Sequence, residues 1–148
     1  MPSTHTSLHY HFTFSTKERR ALIVRAWRDR LHAYVAGIVR ALGGVPEAVG
    51  GTADHIHILA SLKASDSVVD VMRKIKASSS GWVHRTIGAP LFAWQDGYGA
   101  FTAGQSEIER LRNYIHGQEE HHRCRSFEEE YLDLLRQCGV EFDERFLW

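Results

Sequence analysis

Residues 7–16, SLHYHFTFST, alternate: Leu8, Tyr10, Phe12 and Phe14 fall on one side, His9, His11 and Thr13 on the other. A period of two marks a strand with one face against a core. From about Arg25 the spacing becomes helical. Trp27, Leu31, Tyr34, Val35, Ile38 and Leu42 form a stripe that Gly43-Gly44 ends. VPEAV (45–49) is a weaker strand, and Pro46 places it at a sheet edge, because proline has no N–H to offer a neighbour. GGTA turns the chain into DHIHIL, which opens a strand over about 55–62. Ser65 or Asp66 caps the next helix, with its stripe at Val68, Met72, Ile75, Ser79 and Trp82 or Val83. FAWQDGYGAFTAG (92–104) holds a short strand near 98–102, among Gly97, Gly99 and Gly104. A third helix is expected from about Ser106 to Gln118 or beyond. A fourth starts at Ser126, where SFEE has the capping-box form, and runs to about Cys138.

The order β-α-β-β-α-β followed by helices predicts an α+β fold of the ferredoxin-like, split-βαβ kind, an antiparallel sheet with extra C-terminal helices. In that topology the second strand lies at an edge, as Pro46 requires. A chain of 148 residues with 43% hydrophobic content suits one domain over 1–148, with the acidic segment 119–148 part of it.

Net charge is zero, which by itself argues against a nucleic-acid partner. The distribution changes that picture. Residues 1–118 carry 14 Lys/Arg against 9 Asp/Glu, and residues 119–148 carry 4 against 9. An acidic end cancels a basic body in the total, and phosphate binding stays open. No stretch approaches the roughly 18 apolar residues of a membrane span. MPSTHTSLHYHF lacks the basic-then-apolar signal pattern, so the expectation is a cytoplasmic protein with no membrane contact and with Cys124 and Cys138 as free thiols.

In DHIHIL, His55 and His57 share one face of their strand while Ile56 and Ile58 share the other. The isoleucines are expected to face helices and core, and the histidines the open face of the sheet. Two imidazoles at i and i+2 can chelate one divalent ion. An exposed strand face also tolerates histidines, and His9 and His11 repeat the spacing. The second piece is NYIHGQEEHH (113–122). Tyr114 and Gln118 are four apart and share a helix face, beside a packing stripe of Ile108, Leu111 and Ile115. Taken alone, this pair reads as a core-edge aromatic and a solvated amide. His116, His121 and His122 read as surface residues or phosphate contacts.

Together, His-x-His on a central strand and Tyr-x-x-x-Gln on a later helix resemble the single-tyrosine HUH transposases. These form the insertion-sequence 200-like family, which includes the REP-associated tyrosine transposases. HFTFSTKERRAL, GGTADHIHIL, VMRKIKASSSGWV, FAWQDGYGAFT, YIHGQEEHH and SFEEEYLDLL with CGVEFDERFLW look like family segments in the family's order, over about residues 8–148. One departure is Gly117, where the family's YIxNQ more often has asparagine.

The resemblance implies the HUH fold and a metal-dependent transposase that cleaves and rejoins single-stranded DNA through a 5′-phosphotyrosine. Carried over by position, His55, His57 and Gln118 are the metal ligands, for magnesium or manganese, and Tyr114 is the nucleophile. It also implies recognition of DNA hairpins and, with one tyrosine per chain, a homodimer. Lys74, Lys76 and Arg85 in KIKASSSGWVHR offer a phosphate-contact surface, and Trp94, Tyr98 and Phe101 are candidates for base stacking, at least two of them expected in the core. The motif contains no dedicated general base; Asp54 is one candidate. Gly97, Gly99 and Gly104 read either as simple turns or as letting the tyrosine helix leave its own sheet to complete a neighbour's site. Two other readings are an HUH-fold protein domesticated to bind hairpins without cutting, and an unrelated metal hydrolase using His55 and His57.

Overall fold

A computed structural model describes residues 3–122 and 124–148. Four strands, β1 (His9–Ser15), β2 (Val45–Gly51), β3 (His55–Ser61) and β4 (Gly99–Ala103), form one antiparallel sheet in the order β2-β3-β1-β4. That is the ferredoxin-like order, with β2 at an edge as Pro46 implies. The register of β2 shifts between Pro46 and Ala48.

Two helices, α1 (Arg25–Ala41) and α2 (Val68–Trp82), cover one face. Their stripes Leu31, Val35, Val39 and Val71, Met72, Ile75 pack on Phe12, Phe14, Ile56 and Ile58 in the main core. Trp94 lies buried in this core with Tyr98 against it, while Phe101 packs in a smaller cluster on the other face. The cap of α2 is Ser67, whose side chain accepts from the Asp70 N–H, rather than Ser65 or Asp66. Its backbone runs on through a π-helical turn, Val83–Ile87.

The other face is closed by the C-terminal part of the chain. Short helical turns surround α3 (Ile108–His116), α4 (Gln118–His121) and α5 (Phe127–Gln137). The expected single third helix is therefore broken at Gly117, whose φ of −93° and ψ of 17° leave the helical region. Helix α3 seats Ile108 and Ile115 on Ala48, Leu59 and Ala103. It comes so close to β2 that a Cβ on Gly50 would lie 2.3 Å from the Ile115 carbonyl oxygen. Helix α5, capped by Ser126 as SFEE predicts, packs Phe127, Tyr131 and Leu135 against Phe101. No helix among the described residues is long and apolar enough to cross a membrane. Cys124 and Cys138 are free and exposed.

Candidate active site

The alternation of β3 sends His55 and His57 to the face opposite the isoleucines, as read from DHIHIL, but that face is not open. Helices α3 and α5 cover it, and both imidazoles are fully buried, at 0% exposure. Strand β1 lies alongside, with Thr13 opposite His57 and Ser15 opposite His55. Helix α3 brings Tyr114 up to the same face, its ring 5.8 Å from that of His57. Gln118 follows after the Gly117 break, 1% exposed, with Oε1 2.8 Å from His55 Nε2. The four sequence-predicted site residues thus meet within one chain.

The ring nitrogens of the two histidines are held by neighbours on their outer side. His55 Nδ1 lies 2.8 Å from Asp54 Oδ1 and 3.1 Å from Thr52 Oγ1, and His57 Nδ1 lies 2.8 Å from His11 Nε2. A carboxylate that accepts a hydrogen bond from Nδ1–H keeps the proton on Nδ1 and leaves the lone pair on Nε2, the usual way an imidazole is prepared as a metal ligand. Asp54, a candidate base for Tyr114, is thus engaged with His55 on the ring nitrogen remote from Gln118.

Gln118 Nε2 donates to the Tyr114 carbonyl and to Glu130 Oε2, both at 3.3 Å, which points Oε1 at His55. With the proton on Nδ1 beside Asp54, an imidazole lone pair and an amide oxygen would face each other at 2.8 Å. Two acceptors at that distance repel unless a proton or a cation lies between them. Donor atoms around one octahedral ion with bonds of about 2.1 Å are roughly 3 Å apart, so the spacing suits such an ion. The donor atoms of His55, His122 and Glu130 likewise lie within 4.8 Å of one another, and this cluster could hold a metal ion.

Glu130 is the residue that sequence reasoning missed. It is 2% exposed on α5, and its Oε1 lies 2.7 Å from His57 Nε2 and 3.8 Å from His55 Nε2. Its Oε2 accepts from the Tyr114 hydroxyl and lies 3.1 Å from His122 Nε2. The signal was present: Glu130 is three residues after Phe127 and four before Leu134, on the helix's apolar face. His122 departs from the expected surface position too, its side chain 9% exposed, whereas His116 is exposed as expected.

Burial sets the protonation states. It lowers His57 to about 4 against the pull of Glu130, and lowers His11 to about 3 with help from His57. Burial would raise Glu130, but hydrogen bonds from His122, His57 and Tyr114 outweigh it and keep the carboxylate ionised well below the usual range. Burial and then the Glu130 charge push Tyr114 above its ordinary value. The phenol is therefore held neutral by its surroundings.

A cavity of about 370 Å³ opens over this group, lined among others by His11, Phe101, Arg110, Tyr114, Arg125 and Glu130. The basic residues on α2 and the turn that follows it sit across the sheet from this cavity. Lys74 and Arg85 are exposed, whereas Lys76 Nζ donates to the carbonyls of Gln95, Asp96 and Gly97, and burial lowers it to about 8.

The model of a family described as transposase, IS200 like, matches residues 4–118, which include both histidines, Tyr114 and Gln118. The chain belongs to this transposase family. Among solved structures, a candidate transposase from Deinococcus radiodurans R1 superposes with a TM-score of 0.61 at 18% identity, covering 78% of this chain and 94% of that one. A REP-associated tyrosine transposase bound to a REP hairpin gives 0.55 at 16% identity, covering 78% and 70%. At these identities the likeness is one of fold. A comparison with curated proteins finds no match. The transposase family match ends at Gln118, so α5 and Glu130 lie beyond it.

Proposed function

We propose that this transposase is a divalent-metal-dependent transesterase of single-stranded DNA, with Tyr114 as nucleophile and His55, His57 and Gln118 as metal ligands. The observation that carries the reading is the convergence of these side chains: His55 Nε2 faces Gln118 Oε1 at 2.8 Å, and the Tyr114 ring stands against His57, whose Nε2 shares Glu130 with the Tyr114 hydroxyl. All three ligands are neutral. A magnesium or manganese ion bound there keeps its charge for a phosphate oxygen and for the attacking phenol oxygen.

The Tyr114 oxygen attacks the scissile phosphorus, the bond to the 3′-oxygen breaks, and the products are a 5′-phosphotyrosine and a free 3′-hydroxyl. The phenol proton leaves as the new bond forms, and the released 3′-oxygen takes one up. Because the phosphotyrosine keeps the bond energy, another 3′-hydroxyl can reverse the step and join new ends without ATP. Arg110 and Arg125 line the cavity over Tyr114, where they can meet phosphates. Lys74, Lys76 and Arg85 are proposed as a second, more distant contact surface, with Lys76 the least available of the three.

The hairpin held by the REP-associated relative supports a hairpin-containing substrate. One tyrosine per chain supports a homodimer for complete excision and insertion. The test is covalent trapping of hairpin-flanked single-stranded DNA from around the gene, with manganese, on a denaturing gel. Wild type is expected to give an adduct and Tyr114→Phe at most about a thousandth of it. Hairpin binding with no adduct from wild type would overturn the transesterase and leave a non-cutting hairpin binder.

A further inference from the structure

Glu130 is the one acidic side chain that the fold buries fully among the described residues. A buried carboxylate is costly unless opposite charge and hydrogen bonds compensate it. Here the described ion-pair partners of Glu130 are all imidazoles: His55, His57, His121 and His122. No lysine or arginine among the described residues reaches it. His122 Nε2 and His121 Nε2 lie 3.1 and 3.4 Å from Glu130 Oε2, near enough for charge attraction. Among the described residues, the carboxylate therefore sits where imidazole nitrogens and the Gln118 amide converge, with no lysine or arginine beside it.

We propose that Glu130 is a further ligand of the cation held by His55, His57 and Gln118, supplied by the C-terminal helix α5; this rests on the metal-dependent reading of the site. Oε1 lies 2.7 Å from His57 Nε2 and 3.8 Å from His55 Nε2, and the donor atoms of His55, His122 and Glu130 lie within 4.8 Å of one another, near enough to share one ion. Without the ion His57 Nε2 donates to Glu130; with the ion bound, the proton would move to Nδ1, where His11 Nε2 lies 2.8 Å away as an acceptor. A carboxylate oxygen added to two imidazoles and an amide oxygen makes the set anionic and suits manganese or magnesium. The same carboxylate holds the Tyr114 hydroxyl through Oε2. One side chain thus joins nucleophile, ligand set and C-terminal helix, so metal binding also fastens α5 over the site.

The test is metal binding by the full chain without DNA. Manganese affinity is measured calorimetrically for wild type, Glu130→Gln and His55→Ala. Cadmium absorption is recorded for wild type and Glu130→Cys, and melting of each metal-free variant reports folding. Ligation predicts that Glu130→Gln weakens manganese about tenfold or more. It also predicts that Glu130→Cys, a soft thiolate on the ion, gains a sulfur-to-cadmium charge-transfer band above the wild-type background of Cys124 and Cys138. Wild-type manganese affinity in Glu130→Gln, or no added band in a folded Glu130→Cys, overturns the proposal. If His55→Ala still loses manganese in that case, the metal reading itself stands. Manganese binding that is absent from wild type, or unchanged in His55→Ala, overturns both.

Discussion

At the scale of single residues, the site is a set of side chains whose orientation is fixed from behind. Asp54 on His55 Nδ1 is the clearest case, a 2.8 Å contact that selects the tautomer with its lone pair on Nε2. Asp54→Ala is expected to weaken manganese binding by about tenfold or more with little change in the metal-free melting temperature, and titration calorimetry would show it. His55, His57, Tyr114 and Gln118 were legible because a strand period and a helix period each place two residues on one face. Glu130 was not, since nothing local ties a glutamate in an acidic run, EEE at 128–130, to histidines more than 70 positions earlier. Only its place on the apolar side of its helix hinted at burial.

At the scale of elements, the site depends on how closely α3 and α5 approach the sheet. Gly50 is the point of closest approach for α3 and Gly99 for α5, where a Cβ would come within 2.7 Å of the Tyr131 ring. Gly99, in the glycine-punctuated stretch before the tyrosine helix, admits α5. Gly50→Ala cannot be absorbed by a flexible side chain, because the obstacle is the Ile115 carbonyl. The expected result is α3 displaced, a loss of about 1–3 kcal/mol in urea denaturation, and a large fall in covalent DNA adduct as Tyr114 leaves the histidines. An adduct yield equal to wild type would show that α3 placement tolerates the shift. The break at Gly117 was readable only as a weak helix former; the structure turns it into a hinge between the helix of Tyr114 and that of Gln118.

At the scale of the molecule, the acidic C-terminal part is folded back on the basic body. Arg25 and Arg28 meet Glu119, and Arg19 meets Glu128. Such partly exposed pairs contribute little stability each, but they join the acidic C-terminal part to the basic body. Burial of histidines has a larger consequence. His32, lowered to about 4 mainly by burial, stays neutral in the folded chain while the unfolded chain takes up a proton near pH 6.5. Its contribution is present above pH 6.5 and is lost as pH falls toward 4. His11 and His57 act in the same direction, whereas His122, raised by Glu130, opposes them. Wild type should lose about 2 kcal/mol between pH 7 and 5 from His32 alone, and His32→Phe should show a correspondingly smaller fall in urea denaturation at the two pH values.

The sequence by itself determined the strand and helix order, the edge position of β2, the opposite facing of His55/His57 and Ile56/Ile58, and the pairing of Tyr114 with Gln118. All of these follow from periods of two and 3.6 and from the chemistry of proline, glycine and caps, which act over a few residues. Only the tertiary structure decided that the histidine face is closed, that His11 and Asp54 stand behind the two imidazoles, and that Glu130 and His122 join them. Apart from the adjacent Asp54–His55 pair, those contacts link positions 46 to 73 residues apart or depend on which helix covers which face. They are settled by the burial of apolar surface on both sides of the sheet, a property of the whole chain that no local pattern carries.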